Sequence, residues 1–353
     1  MALERSVLDE SSISELILRY YGISVISSQR LKLGSANCYR VFDGEKYYFL
    51  KEFQSAFTDD AVVQEAKLLD FLATTEIPVT HFYKTLSGDY TFRYKGRIIC
   101  LEEYVEGISY GYDDLPKEFL LPLGALLGKL HRALRECPLT LWKSDKMSDE
   151  WLYSFSAEKM IAQYDGLIEI ARSKENDDKI TRIIDDLEYK KQLAARCEEY
   201  KKYYGGVMYS LTHGDYQGCQ LIFDASGSGE IKALIDFSSA ARLPVVWEIM
   251  RSFVQSSSEC RKSARIDVDA LRSYVKEYMK YSELTRNDMI SMPYVYLFQL
   301  ARSKFGYPQY LASDSEDREG LIDFAFWRTR MCREVESRAD EISRALLSLF
   351  ESV

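Results

Sequence analysis

The stretch that decides the fold reads Leu211-Thr212-His213-Gly214-Asp215-Tyr216-Gln217-Gly218-Cys219-Gln220-Leu221-Ile222-Phe223, followed after a Gly- and Ser-containing segment by Ala233-Leu234-Ile235-Asp236-Phe237. The two apolar runs, joined by the turn-forming residues 224–230, predict an antiparallel hairpin. Such a hairpin delivers Asp236 to the end of one strand, while Asp215 and Gln220 share the short polar loop that leads into the other. Two carboxylates and an amide oxygen on one hairpin suit phosphoryl-transfer chemistry. One carboxylate orients an attacking hydroxyl, and the remaining oxygens hold Mg²⁺ on nucleotide phosphates. A lone Asp in a loop is ordinarily a turn former or a helix cap, so the weight rests on the combination.

The 353-residue chain is long enough for two lobes, each with its own core. Its 46% hydrophobic and 29% charged content is that of a soluble globular protein. A net charge of −9 disfavours nucleic-acid binding, which rests on neutralising phosphates with basic side chains, and is compatible with a cationic small-molecule partner. No apolar run approaches the roughly 20 residues that span a bilayer. The first ten residues carry three acids and lack the apolar centre of a signal peptide, so a cytoplasmic location without membrane association is expected. Seven scattered cysteines without Cys-x-x-Cys spacing argue for reduced thiols and against a zinc site or disulfide frame. Cys219, inside the polar loop, reads as small apolar filler rather than a nucleophile. Oligomeric state is not legible, because core and interface aromatics look alike.

Working outward from the hairpin, Ser12 and Glu15 have capping-box spacing ahead of Ile13, Leu16, Ile17 and Tyr20, which predicts a short leading helix. The period then changes to two. Strands over 27–33 and 38–42 flank the Gly34-Ser35-Ala36-Asn37 turn, and Asp43-Gly44 makes a hairpin into Tyr47-Tyr48-Phe49-Leu50-Lys51. Alternation places Lys51 on one face with Tyr47 and Phe49. A helix capped at Asp59-Asp60 carries an inward stripe of Val62, Leu68, Leu69 and Leu72, and Glu65 shares that face. An unpaired carboxylate there is costly, and Lys51 is its candidate partner. Further strand-like segments cover 81–86, 90–94 and 97–105. Polar, turn-rich residues 108–116 divide an N-terminal lobe, 1–107, from a C-terminal lobe, 108–353. Beyond them, helical spacing covers 120–134, with His131 read as structural, then 150–171, 180–204, 268–281, 288–303 and 319–350. Tyr294, Tyr296, Tyr307, Tyr310 and Trp327 suit either an acceptor pocket or the core, with burial tendencies favouring the core.

The stretch His213-Gly214-Asp215, with Tyr216, and Ile235-Asp236-Phe237 resemble the aminoglycoside phosphotransferase, choline kinase and type II homoserine kinase-like group, distant relatives of protein kinases. The group's pattern has Asn five residues after the Asp, where this chain has Gln220, which keeps the amide oxygen and adds one methylene. The resemblance implies an α+β, two-lobed protein-kinase-like fold, with a small antiparallel-sheet N-lobe and a large, mostly helical C-lobe. It further implies ATP and Mg²⁺ as cofactors and a small-molecule hydroxyl as acceptor. In that reading Asp215 is catalytic, Gln220 and Asp236 bind the metal, and Lys51 held by Glu65 positions the phosphates. Gly34 and Ser35 belong to the nucleotide-covering loop, and the backbone of Glu102 and Tyr104 contacts the base. The rival reading, motivated by Gln220 and the single-glycine loop, is a kinase-like protein that binds nucleotide or a partner without turnover.

Overall fold

The computed structural model describes residues 4–31, 36–138, 152, 154–175, 177–312 and 318–351. The fold is α+β. In chain order the strands are β1 (Ser27–Leu31), β2 (Asn37–Phe42), β3 (Tyr47–Glu52), β4 (Phe92–Tyr94), β5 (Arg97–Glu103), β6 (Tyr209–Thr212), β7 (Leu221–Phe223), β8 (Ile231–Leu234) and β9 (Ala241–Pro244). The helices are α1 (Glu10–Tyr21), α2 (Asp59–Leu72), α3 (Leu120–Arg135), α4 (Ala157–Arg172), α5 (Asp178–Tyr200), α6 (Val245–Ser256), α7 (Ser258–Ser263), α8 (Val268–Met279), α9 (Arg286–Arg302), α10 (Tyr307–Ala312), α11 (Arg318–Ser337) and α12 (Ala339–Leu347). Two compact units result. One holds the described residues up to Ser109 together with 136–138 and Gln220–Ala240, and the other holds the described residues of Tyr110–Arg135, 152–219 and from Ala241 on. The β7–β8 hairpin, which the sequence division at 107/108 gives to the second lobe, groups with the first unit.

In the first unit the strands pair antiparallel in the order β1-β2-β3-β5-β4. Alternation gives the sheet two different faces. Tyr39, Val41, Tyr48, Leu50, Ile99 and Leu101 point to one side and bury against Ile13, Leu16 and Ile17 of α1. Cys38, Lys51, Cys100 and Glu102 share the other side, since Lys51 stands opposite both Cys38 and Cys100. Helix α1 begins earlier than the Ser12 capping box predicts. Asp9 is the N-cap, accepting from the Ser12 N–H at 2.8 Å while its own N–H donates to Ser12 Oγ at 2.8 Å, so the helix starts at Glu10. Helix α2 is capped by Thr58, which accepts from the Ala61 N–H, rather than by Asp59 or Asp60. The hairpin β7–β8 joins this unit through main-chain bonds. The N–H groups of Ile108 and Phe223 each donate to the other's carbonyl at 2.8 Å, and Leu234 N–H donates to Pro78 O at 2.7 Å. The strand expected over 81–86 is reduced to an isolated bridge at Phe82.

The second unit is helical apart from the β6–β9 ladder. Helices α4 and α5 pack Tyr164, Ile168 and Ala171 with Ile180, Ile183 and Leu187, and Tyr307, Leu311, Ile322 and Phe326 of α10 and α11 complete that core. Helix α3 lies against α8 at backbone distance, because a Cβ at Gly128 would come within 2.3 Å of the Tyr278 carbonyl oxygen. The single helix predicted over 319–350 is two helices, broken at Arg338, whose carbonyl starts α12 by accepting from Ile342 N–H at 2.9 Å. Tyr294, Tyr296, Tyr307 and Trp327 are buried. Tyr307 shares a hydrogen bond with Thr329 and reaches Asp186, so its ring belongs to the core. Among the described residues no helix is long and apolar enough to cross a membrane.

Candidate active site

In the first unit, Lys51 is the last residue but one of β3, on the sheet face away from α1. Its Nζ lies 2.9 Å from Glu102 Oε1, with 15% and 6% of the two side chains exposed. The sheet register explains the pair: Cys100 faces Lys51 across the ladder, and Glu102 is the next residue of β5 on the same face. Burial alone would lower the lysine's pKa, but Glu102, then Glu65 and Asp236, hold it well above the ordinary value. The direct partner is thus Glu102, not the expected Glu65. Glu65, buried on α2, accepts from the Phe237 N–H, and desolvation raises its pKa to about 7 against the pull of Lys51. The two thiols flanking Lys51 are pushed up by burial and stay protonated.

Gln220 and Asp236 come together through the hairpin. Leu221 pairs with Leu234, and Gln220 extends the ladder by accepting from Ile235 N–H at 3.0 Å. Asp236 follows in the left-handed region, φ 63° and ψ 67°, unusual for a residue with a Cβ and of the kind that clusters at functional sites. Ser238 Oγ donates to its Oδ1 at 2.6 Å, and its charge reaches Lys51, Glu65 and Cys38.

The hinge expectation needs revision at one residue. Phe53 N–H bonds to Ile98 O at 2.9 Å, which fixes the phase of the β3–β5 ladder. Alternate pairs then make Phe49 and Glu102 a hydrogen-bonded pair. The N–H and C=O of Glu102 are therefore turned to Phe49 within the sheet and not outward to a base, whereas Tyr104 lies past the end of β5. Gly34 and Ser35 lie outside the described residues.

In the second unit, Asp215 sits on the loop after β6. Gly214 adopts φ 81°, where glycine carries no Cβ penalty, and this turns the chain so that Asp215 follows directly. Helix α6 holds the whole loop. Glu248, with no exposed surface, accepts from the His213 N–H at 3.0 Å and the Gly214 N–H at 2.5 Å, and it meets His131 Nε2 at 2.8 Å. Burial raises its pKa, yet the bond and charge of His131 and the His213 contacts win, and the carboxyl stays below its ordinary value. One turn on, Arg251 forms an ion pair with Asp215. At the helix end Ser256 Oγ accepts from Gly218 N–H at 2.9 Å. Gln217 Nε2 contacts both Asp215 oxygens at 3.3 Å. His131 is structural as expected, spanning Glu248 and Tyr278. Tyr216 buries its ring and donates to Leu123 O at 2.9 Å. Cys219 is pushed up to about 11 by burial and by Asp215, which suits filler and not a nucleophile.

Glu248, Arg251 and the Glu102 carboxylate were not picked out from sequence. A signal for the first two exists: residues 248, 251, 252, 255 and 256 form a polar stripe at helical spacing on a helix buried almost all round. Polar groups there require partners.

The model of the phosphotransferase enzyme family matches residues 29–283, and the chain belongs to that family. The fold is shared with a spectinomycin phosphotransferase solved in complex with ADP and spectinomycin, at TM-score 0.68 and 15% identity over 95% of this chain and 100% of that one. A microcompartment-associated aminopropanol kinase matches at TM-score 0.65 and 18% identity, covering 95% and 99%. An ethanolamine kinase from Plasmodium vivax matches at TM-score 0.59 and 15% identity, covering 94% and 89%. No curated protein sequence matches the chain at a significant level.

Proposed function

We propose that the protein is a small-molecule kinase that moves the γ-phosphate of ATP to an alcohol hydroxyl. The observation that carries this is the convergence in one unit of Lys51, Glu102, Asp236 and Gln220, a charged lysine beside hard oxygen donors. Lys51, fixed by Glu102 and the nearby Glu65, positions the nucleotide phosphates as a point charge. The base is held by main chain from Tyr104 onward. Among the described residues no three or more His, Cys, Asp and Glu gather as a metal cluster. An Asp oxygen plus an amide oxygen fit Mg²⁺, which keeps waters and takes phosphate oxygens as its other ligands. Asp236 and Gln220 would hold it, and it would neutralise charge developing on the phosphates.

Asp215 orients the acceptor. Its carboxylate accepts a hydrogen bond from the hydroxyl, whose oxygen forms the bond to the γ-phosphorus as the bond to the β,γ-bridging oxygen breaks. The electron pair leaves with ADP, and the hydroxyl proton passes to Asp215. The two backbone bonds to Glu248 keep the loop from yielding while this happens.

Titration calorimetry of ATP, with and without Mg²⁺, tests the nucleotide half. ATP binding is expected to strengthen with Mg²⁺, and Asp236→Ala should lose that gain. Binding indifferent to both metal and Asp236 would favour the non-catalytic reading that Gln220 motivates.

A further inference from the structure

We propose that the acceptor carries an anionic group beside its reacting hydroxyl, and that Arg328, with Arg251 and Arg261, forms the cradle that receives it. This rests on the kinase reading above and specifies its substrate class.

Arg328, on α11, is half-buried and among the described residues makes neither an ion pair nor a hydrogen bond; the Phe324 ring centroid lies 5.7 Å from its guanidinium carbon. A guanidinium is always charged, and burying one without an anion is costly. Burial pushes its pKa down, and so does the positive charge of Arg251. The groups that oppose the shift are Tyr296, Cys332 and Tyr164, none of them a carboxylate. Arg251 spends one arm on Asp215 and leaves Nη1 buried without a partner. Arg261 spends Nε on Asp113 at 2.8 Å, and its Nη1 is likewise buried without a partner.

Arg251 adjoins the Asp215 carboxylate, and Arg261 and Arg328 adjoin one aromatic ring. The Arg261 guanidinium lies 4.1 Å from the Trp327 ring centroid, 5.4 Å from that of Phe324 and 5.2 Å from that of Tyr112. Phe324 thus has a guanidinium from Arg261 and another from Arg328 near its ring. Tyr112 is 44% exposed and opens the cluster to solvent, while its hydroxyl reaches Cys219 and senses Asp215. Tyr296 senses both Arg328 and Arg251. Arg251, with its unspent Nη1, therefore stands at Asp215, and Arg261 and Arg328 share the Phe324 ring in the same unit. Planar forked donors of this kind select carboxylate or phosphate oxygens. The net charge of the whole chain is compatible with a cationic acceptor, but the charge beside Asp215 is that of Arg251.

Thermal unfolding of the full chain in sodium malonate and in sodium phosphate, each against sodium chloride of equal ionic strength, tests the cradle. The wild-type midpoint should rise by about 2 °C once the anion is in tenfold excess over its Kd. Lys51→Met, which removes the anion-binding ammonium of the nucleotide half, should keep the rise, and Arg328→Met should lose it. A response to malonate alone identifies a carboxylate, and one to phosphate alone a phosphate group. No rise in the wild type, or a rise that Arg328→Met retains, overturns the proposal. ATP titration of the same samples separates the two ideas. ATP binding without an anion response sinks only the cradle, whereas an anion response without ATP binding sinks the kinase reading and with it the acceptor role.

Discussion

Replacing Glu248 should damage both stability and turnover while sparing the nucleotide half. The carboxylate has no exposed surface and serves the His213 N–H, the Gly214 N–H and His131 Nε2. Glu248→Gln keeps one acceptor oxygen, turns an NH₂ group toward a donor, and removes the charge from the bonds that remain. A charge-assisted bond contributes about 1.5–3 kcal/mol against about 1 kcal/mol for a neutral one, and a buried donor left unpaired costs about 1–3 kcal/mol. With one bond lost and two weakened, the sum is a loss of about 2–7 kcal/mol, a large share of a net stability of about 5–15 kcal/mol. Because the same bonds aim Asp215, a displacement of about 1 Å would lower kcat roughly 10²-fold. Denaturant unfolding measures the first effect and an ADP-release assay the second, with ATP calorimetry expected to change little. The acid side carries a further signature. Glu248 has its pKa depressed in the folded state, so its contribution is full above its unfolded value and is lost as pH falls through the folded one. The variant should therefore differ from wild type at neutral pH and converge with it in acid. A Glu248→Gln protein with wild-type stability and kcat would refute the brace.

Asp215→Asn should lower kcat by about 10²–10⁴ with ATP affinity largely intact, and unchanged turnover would remove Asp215 from its catalytic role. Glu65 has the opposite pH sign to Glu248. Its pKa is raised by burial to about 7, so the folded state binds more protons than the unfolded one between its ordinary value of 4.5 and about 7, and stability falls as pH rises through that window. Glu65→Gln should flatten that slope by about 3 kcal/mol, read as the difference between unfolding at pH 5 and pH 8; an unaltered slope would show that the carboxyl ionises freely. Gln220→Asn shortens the amide by one methylene and should tighten Mg²⁺-dependent ATP binding. An Asn variant that binds no better in calorimetry would mean that the hairpin already presents the Gln oxygen in place.

Local spacing was enough to read the hairpin, since two short apolar runs on either side of a Gly- and Ser-rich turn admit few other structures, and β7 and β8 run where it places them. The same holds for Lys51 on β3 and for most helices, whose apolar stripes recur at helical spacing. Helix starts were less legible at α1 and α2, where several Ser, Thr and Asp residues within one turn compete to cap, and Asp9 and Thr58 won. The break at Arg338 escaped because the apolar stripe continues across it.

The sequence by itself determined which residue types stand at the ends of which strands: Asp215 and Gln220 before β7, Asp236 after β8, Lys51 on β3. Those placements follow from side-chain periodicity, a property of a few neighbouring residues. The tertiary structure decided what each charge meets. Glu102 rather than Glu65 neutralises Lys51 because strand register sets Cys100 opposite the lysine and Glu102 one step along the same face. Glu248 and Arg251 grip the Asp215 loop because α6 is enclosed, and an enclosed polar stripe must bond to whatever backbone lies against it. Arg328 is left without an anion by the same packing. Charge pairing is a matter of distance in space, and distance between residues far apart in the chain exists only once the core has closed.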